Sequence, residues 1–479
     1  MTALLPGTKW AWPVGDHHQL IYAVAGQDAD AALAGLKDWL SSHDIDVAAF
    51  REQRLLFAAF ARFGAALKND PFNGRLTGLQ RLLWTRAQMA TRQNLPSVRM
   101  LDTAGIPVLF IKGAGMAALP YVSSRHRVSH DLDIVVHPSD FSRAFDLLNK
   151  EGWLPSSGQS RLSMQNHLPS LRSINLFRGH FGDIDLHSRP FHFSQGGSEQ
   201  DDKLWGRVRT GNLGGHLVKI PSPEDAIVLA IGHGGLDGHA HSDWLIDAAR
   251  LVTNETIDWH LALDIISGRR LAAASYLALA YLSQGLGISI PQPVLDDLAK
   301  ATKASPATYL STLVQMRPRT RFSRSGQLLR GLVKANRMRA DNALAPSPKQ
   351  PIRYLSVSTD RFAKPSEIAY GLVAEVKPVN QSLAGDVELE LQIGPITTPR
   401  RIEFELNSEN AHLARFMVRI LRPRKNPSRI IVKGNIGSTP ESRITVESRP
   451  SRQLRDMETP QRIARYAAVP FALIRAEPK

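Results

Sequence analysis

Two hydrophobic periods alternate along the chain, and they divide it. From Asp28 to Leu40 and from Val47 to Leu67, apolar residues recur at helical spacing, with Leu55, Phe57, Phe60, Phe63 and Leu67 on one stripe. The same period runs from Leu76 to Thr103, where Pro96 is expected to break or kink the helix. Gly105-Ile106-Pro107 then ends the helical lead and delivers the chain into a short apolar run, Val108 to Ile111. Beyond it the pattern predicts a glycine turn at Lys112-Gly113-Ala114-Gly115, with a helix starting between Met116 and Leu119. A basic loop follows, then a strand that opens on Asp131-Leu132-Asp133 and continues as Ile134-Val135-Val136.

Downstream, Pro138-Ser139-Asp140 predicts a helix start, and Phe141 to Glu151 the helix itself. Strands are expected at Ser173–Arg178 and His180–His187; on the second, Asp183, Asp185 and His187 share one face, Ile184 and Leu186 the other. Helical patterns resume at Ser222, reaching about His233. They continue through Ser242–Thr253, Leu271–Leu286 and Gln292–Lys303 to a basic helix over Ser323–Ala340. Ala345 to Pro351 has linker composition. After it the period becomes two: Val387, Leu389, Leu391 and Ile393, then Ile402, Phe404 and Leu406. Further short strands at Phe416–Ile420, Arg429–Val432 and Arg443–Val446 predict an all-β domain, expected to be a sandwich.

The expected fold is therefore α+β. A helical lead at 1–104 packs on an α/β core at 105–215, followed by a helical bundle at 216–344, a linker at 345–353 and the β domain at 354–479. A length of 479 residues accommodates that many parts. The formal charge of +15 favours anionic partners, and basic residues crowd 317–339, although such a stretch is also an ordinary solvated helix face. Cysteine is absent, which excludes disulfides and thiolate zinc sites. Neither a signal peptide nor a bilayer-length apolar run is evident, so a cytoplasmic protein is expected.

The chemistry-bearing stretch is Ile106 to Val136. Backbone N–H groups at a glycine turn suit phosphate. Asp131 and Asp133, two apart on a strand, send their carboxylates off the same face, where they repel unless a cation sits between them. Such a pair suits Mg²⁺ held jointly by carboxylates and substrate phosphates. Asp185 adds a third acid from a strand. Gly113 to Ala118 also satisfies a Gly-x-Gly-x-x-Ala dinucleotide fingerprint, but the acids precede the apolar run rather than end it, against that reading. His233, His239 and His241, with Asp237, Asp243 and Asp247, invite a zinc site, yet their spacing matches no zinc motif.

The blocks IKGAGMAALPY, RVSHDLDIVV, GDIDLHSRP and SPEDAIVLAIGHGG, with SDWLIDAARL after them, resemble a bacterial family of uncharacterised nucleotidyltransferases within the DNA-polymerase-β-like superfamily. The likeness runs from about Leu55 to Leu286 and departs from the superfamily at Ala114, where a Gly or Ser is usual. It implies transfer of an NMP from an NTP to a hydroxyl acceptor (small molecule, protein or RNA) with release of pyrophosphate. Asp131, Asp133 and Asp185 would hold two Mg²⁺ ions, or Mn²⁺ in their place, and Asp185 would help deprotonate the acceptor. Lys112, Gly113, Ala114 and Gly115 would cradle the β- and γ-phosphates, with Arg127 and Arg125 on the departing pyrophosphate. His233 and Asp247 would brace the bundle against the site. The alternative is an inactive nucleotide- or nucleic-acid-binding protein that uses the basic helix and the β domain.

Overall fold

A computed structural model describes residues 6–155, 168, 171–179, 181–191, 197–236 and 242–344, together with strands between 368 and 474. Strands up to residue 220 are β1 (Leu109–Phe110), β2 (Leu132–Val135), β3 (Leu154–Pro155), β4 (Ser173–Arg178), β5 (Gly182–His187), β6 (Arg209–Leu213) and β7 (His216–Ile220). The chain divides into two compact units, Met1–His137 with Ile184–Ser347, and Pro138–Asp183 with Pro348–Lys479.

In the first unit the strand order is β5-β2-β1-β7-β6. β2 runs parallel to β5 and antiparallel to β1, while β1 runs parallel to β7. Leu132, Ile134 and Val135 are buried, as are Ile184 and Leu186, so the apolar partners of the acids anchor both central strands. The β6–β7 hairpin was not anticipated, although Gly214-Gly215 between Leu213 and His216 is a two-residue hairpin loop with a known signature.

Helices surround this sheet. The helix Phe50–Phe63 buries Leu55, Leu56, Phe57, Phe60 and Phe63, and the Glu52 carboxylate accepts the Ala49 N–H at 2.7 Å to secure its start. Phe57 packs with Leu83, Ala87 and Val128, which fixes the helical lead directly against the segment that precedes β2. Pro96 does not interrupt its helix, which is continuous over Asn73–Thr103. Buried Leu95, Val98 and Leu101 continue the inward stripe past the proline, so packing offsets the lost N–H. No described helix is long and apolar enough to cross a membrane.

His17 joins the first helix, Gly15–Ala25, to the later bundle through a 2.7 Å hydrogen bond between its Nε2 and Ser242 Oγ. Burial lowers its pKa to about 4; Arg51 and His18 push the same way, and Glu52 opposes them. The folded protein thus holds this ring neutral, whereas the unfolded chain protonates it below about pH 6.5. Stability present above that pH is lost as pH falls towards 4, at up to about 1 kcal/mol per unit. Melting at pH 7.5 and pH 5.0 should therefore differ less in His17→Gln than in wild type. Equal differences would contradict this role.

In the second unit the helix Phe141–Lys150 buries Phe141, Ala144, Phe145 and Leu148, and β3 pairs antiparallel with β4. Asp183 accepts a hydrogen bond from Asn175 Nδ2 at 2.8 Å. The later strands form two sheets, one joining β8 (Ile368–Val376) to β11 (Ala414–Ile420) and β14 (Ala472–Ile474). The other orders β10 (Ile396–Leu406), β9 (Leu383–Ile393), β12 (Ile430–Lys433) and β13 (Arg443–Val446). The expected linker at 345–353 lies outside the described residues.

Candidate active site

The expected glycine turn is instead the first turn of a short helix, Lys112–Ala117. Lys112 opens it with φ of +52°, a left-handed conformation uncommon for a residue with a side chain. The Ile111 N–H bonds to the Asp133 carbonyl at 3.1 Å, so the strand hands Lys112 straight to the acids. Gly113 is required by proximity: a Cβ there would stand 2.6 Å from Ser129 Oγ and 3.2 Å from Arg127 Nη2. Ser129 Oγ in turn donates to the Asp131 carbonyl at 2.9 Å, which ties the basic loop to the start of β2.

Parallel pairing of β2 with β5 sets Asp133 directly beside Asp185. His187 Nε2 lies 3.2 Å from Asp133 Oδ1 and 3.1 Å from Asp185 Oδ2, and Lys112 Nζ donates to Asp133 Oδ1 at 2.6 Å. One donor atom from each of Asp133, Asp185 and His187 falls within 4.8 Å of the others, a group that can hold a divalent metal. The three side chains come from two neighbouring strands, so the backbone ladder fixes their separation.

Charge explains the titration of this group. Burial would raise the Asp133 carboxyl, but Lys112 and His187 hold it far below the usual carboxylate range. Asp185 is lowered too, against its own burial, chiefly by His187. Burial works against the His187 cation as well, yet Asp185 and the hydrogen bonds to both acids lift its pKa to about 9. Asp131 keeps contact with solvent. Enough protein surrounds its carboxyl for desolvation to raise the pKa, with the Asp133 charge second. Three carboxylates therefore face two cations, and the excess is negative. Mutual repulsion of the acids is the field a divalent cation would relieve.

Lys112, Asp131 and Asp133 line one wall of a cleft of about 870 Å³, part of it open solvent; Asp185 and His187, beside Asp133, are not among its lining residues. Lys112, Gly113, Gly115, Arg127, Asp131 and Asp133 line it; Ala114 is buried in the helix, and Arg125 is exposed and does not line the cleft. Arg127 is committed elsewhere. Its Nε donates to Asp247 Oδ1 at 2.8 Å and its Nη2 to Asp247 Oδ2 at 3.0 Å, with Nη1 3.1 Å from Asp243 Oδ2. Asp243 and Asp247 are one turn apart on the helix Asp243–Asn254, so both face the loop. Asp247 thus braces the bundle against the site, as expected. Arg54 pairs with the same Asp243 and donates to the Val128 carbonyl at 3.0 Å.

Arg54, Arg209 and Trp244 on the cleft wall were not anticipated. Arg54 had no signal in its surroundings; it reads as a polar residue on an amphipathic helix. His233 also lines the cleft, and its ring meets that of His187 edge-on at 6.0 Å. Asp237, His239 and His241, the rest of the zinc expectation, lie outside the described residues. His233 belongs to a π-helical turn, Ala230–Gly235, a form often found at functional sites. Gly234 in this turn has no room for a side chain, because a Cβ would stand inside contact distance of Trp244. Gly234→Ala is expected to cost about 1–3 kcal/mol by displacing the indole, measured by denaturant unfolding. A change below about 0.5 kcal/mol would show that the packing yields.

Residues 49–287 match the family described as "Uncharacterised nucleotidyltransferase". The span includes every cleft residue named above. No curated protein matches the chain. A crystal structure of an antigenic nucleotidyltransferase-like protein from Paracoccidioides brasiliensis is similar at 18% identity. That similarity covers 44% of this chain and 93% of the other with a TM-score of 0.23, too low to carry an argument.

Proposed function

We propose that this chain is a divalent-metal-dependent nucleotidyltransferase of the polymerase-β-like superfamily. It would move an NMP from an NTP to a hydroxyl acceptor and release pyrophosphate. The observation that carries the reading is the register that sets Asp133 beside Asp185, with Lys112 bonded to Asp133 at the wall of the cleft. The family match supports the class of reaction.

In this reading Asp133 and Asp185 are the principal metal ligands, and Asp131 adds a third carboxylate. Hard carboxylate oxygens fit Mg²⁺ or Mn²⁺, and His187 stands beside both acids, which lift its pKa in the metal-free protein. Two Mg²⁺ ions would supply Lewis-acid polarisation of the α-phosphate and charge neutralisation at the attacking and leaving oxygens. Lys112 turns from Asp133 to the β- and γ-phosphates, and the first-turn amides of Gly113, Ala114 and Gly115 add donors there. Arg127 supports the departing pyrophosphate through its charge and through the loop it holds; Arg125, outside the cleft, could join only by movement of that loop. The acceptor oxygen forms a bond to Pα as the Pα–O–Pβ bond breaks. Asp185 takes the hydroxyl proton and pyrophosphate leaves.

The acceptor class follows from one experiment. Cell lysate is incubated with the protein, Mg²⁺ and each labelled NTP, and the labelled product is separated as small molecule, protein or RNA. Label is expected in one fraction with wild type and in none with Asp185→Asn. No transfer from any NTP, together with tight binding of RNA or DNA, would instead favour the binding protein, with the basic 317–339 segment as its contact. We read the two C-terminal sheets as a sandwich.

A further inference from the structure

Trp244 and Gly234 also line a second cavity, of about 670 Å³ with part of it open solvent, and no other lining residue is shared. Trp12, Tyr281 and Trp244 stand in its wall. Trp12 and Tyr281 pack edge-on at 5.5 Å, and their polar tips are satisfied: Trp12 Nε1 donates to the Leu277 carbonyl at 3.2 Å, and the Tyr281 hydroxyl meets His18 Nδ1 at 2.9 Å. Three aromatic side chains around one space suit a flat ring.

Arginines also line it. Arg317, Arg319 and Arg330 line the cavity, and Arg321 stands one turn from Arg317. None of the four has a carboxylate partner among the described residues. Arg317 lies over the Trp10 ring at 4.1 Å and donates to the Trp10 and Arg321 carbonyls at 2.9 and 3.1 Å. Arg330 donates to the Gln315 carbonyl at 3.0 Å. Burial lowers the pKa of both Arg317 and Arg330, and a neighbouring arginine lowers each further. Arg51, which lines the cavity as well, is paired with Glu52 at 3.2 Å, and the Glu52 carboxylate also accepts the Ala49 N–H. Three buried polar atoms of lining residues have no hydrogen-bond partner among the described residues: Arg317 Nε, Arg51 Nε and His17 Nδ1.

Like charges gathered beside an apolar cavity repel one another and cost desolvation unless an anion joins them. Carbonyl oxygens orient these guanidiniums without neutralising them. We propose that this cavity binds a small phosphomonoester carrying a flat ring, with the ring between Trp12, Tyr281 and Trp244 and the phosphate on Arg317, Arg319 and Arg330. Planar guanidinium forks recognise phosphate through paired hydrogen bonds, which an arginine cluster supplies and a lysine does not. The site is separate from the metal-binding acids, so it stands whether or not the cleft transfers nucleotides.

Titration calorimetry with 1-naphthyl phosphate tests it on the full chain. The expected Kd is below about 1 mM, with 1-naphthol and inorganic phosphate each at least about tenfold weaker. Arg319→Gln, a change at an exposed side chain, should weaken binding about threefold, and Arg319→Gln with Arg330→Gln about tenfold or more, at unchanged melting temperature. Asp133→Asn should bind the probe like wild type. Three results would overturn the proposal: no heat at millimolar probe, equal affinity in the double variant, or equal affinity for 1-naphthol.

Discussion

Asp133→Asn is expected to reduce nucleotidyl transfer by about 10²–10³-fold or more while the protein remains folded. The carboxylate sits at the centre of the charged group, touched by Lys112 at 2.6 Å and His187 at 3.2 Å and set in register with Asp185. Asparagine keeps the shape and one acceptor oxygen but loses the charge that would hold a cation. Loss of one preorganised charge-stabilising group costs roughly 3–4 kcal/mol of barrier even in acyl-transfer enzymes. The comparison assay is single-turnover transfer at saturating Mg²⁺, with circular dichroism confirming the fold. Retention of more than about a tenth of wild-type activity would remove Asp133 from the reaction. Asp183→Asn serves as the control, because that acid is bonded to Asn175 and is not among the converging donors. Its activity should remain within about threefold of wild type.

The second large effect is structural. Arg127→Met leaves Asp243 and Asp247 buried, each with a side chain about 5–7% exposed, without their principal cation. Burial alone would lower the Arg127 pKa; Asp247 and Asp243 raise it well above the ordinary value, a sign of how strongly the acids hold the charge. Breaking a buried pair of this kind costs about 3–5 kcal/mol, since the uncompensated carboxylates remain. The melting temperature should fall by on the order of 10 °C. Arg127→Lys should lie between, keeping the charge while losing the two-pronged contact with Asp247. Replacing Asp247 by Met in the Arg127→Met background should recover part of the loss. A fall of less than about 1 kcal/mol in the single variant would show that Arg54 suffices to hold Asp243.

Much of the site could be read from residue order, and the reason is the β period. Alternation in Asp-Leu-Asp-Ile and Ile-Asp-Leu-His fixes which side chains share a face, whatever the tertiary arrangement. What alternation does not contain is pairing. That Asp133 faces Asp185 depends on β2 and β5 becoming neighbours across nearly fifty intervening residues. His187 illustrates the limit. Its position beside the acids was legible, but its role as the imidazolium that bridges them depends on burial and on two carboxylates at 3.1–3.2 Å.

Arg54 was hidden for the same reason. Nothing local distinguishes it from other charged residues on its helix, and its value comes from Asp243, far along the chain. In the basic loop, Arg127 lines the cleft while its guanidinium pairs with Asp243 and Asp247, a pairing that residue order does not contain. Local structure was overridden at two places, Pro96 inside a continuous helix and the Lys112–Ala117 turn. Two glycines suggested a turn ahead of the helix, but the helix takes in both, after a left-handed Lys112.

The central claim is that the strand-borne acids hold divalent metal in the cleft. Anomalous diffraction from crystals soaked in Mn²⁺ and a non-hydrolysable NTP analogue tests it most directly. A peak within ordinary metal–oxygen distance of Asp133 and Asp185, with the triphosphate towards Lys112, is the predicted result. A triphosphate bound elsewhere, or Lys112 and His187 still holding both acids at saturating Mn²⁺, would contradict it.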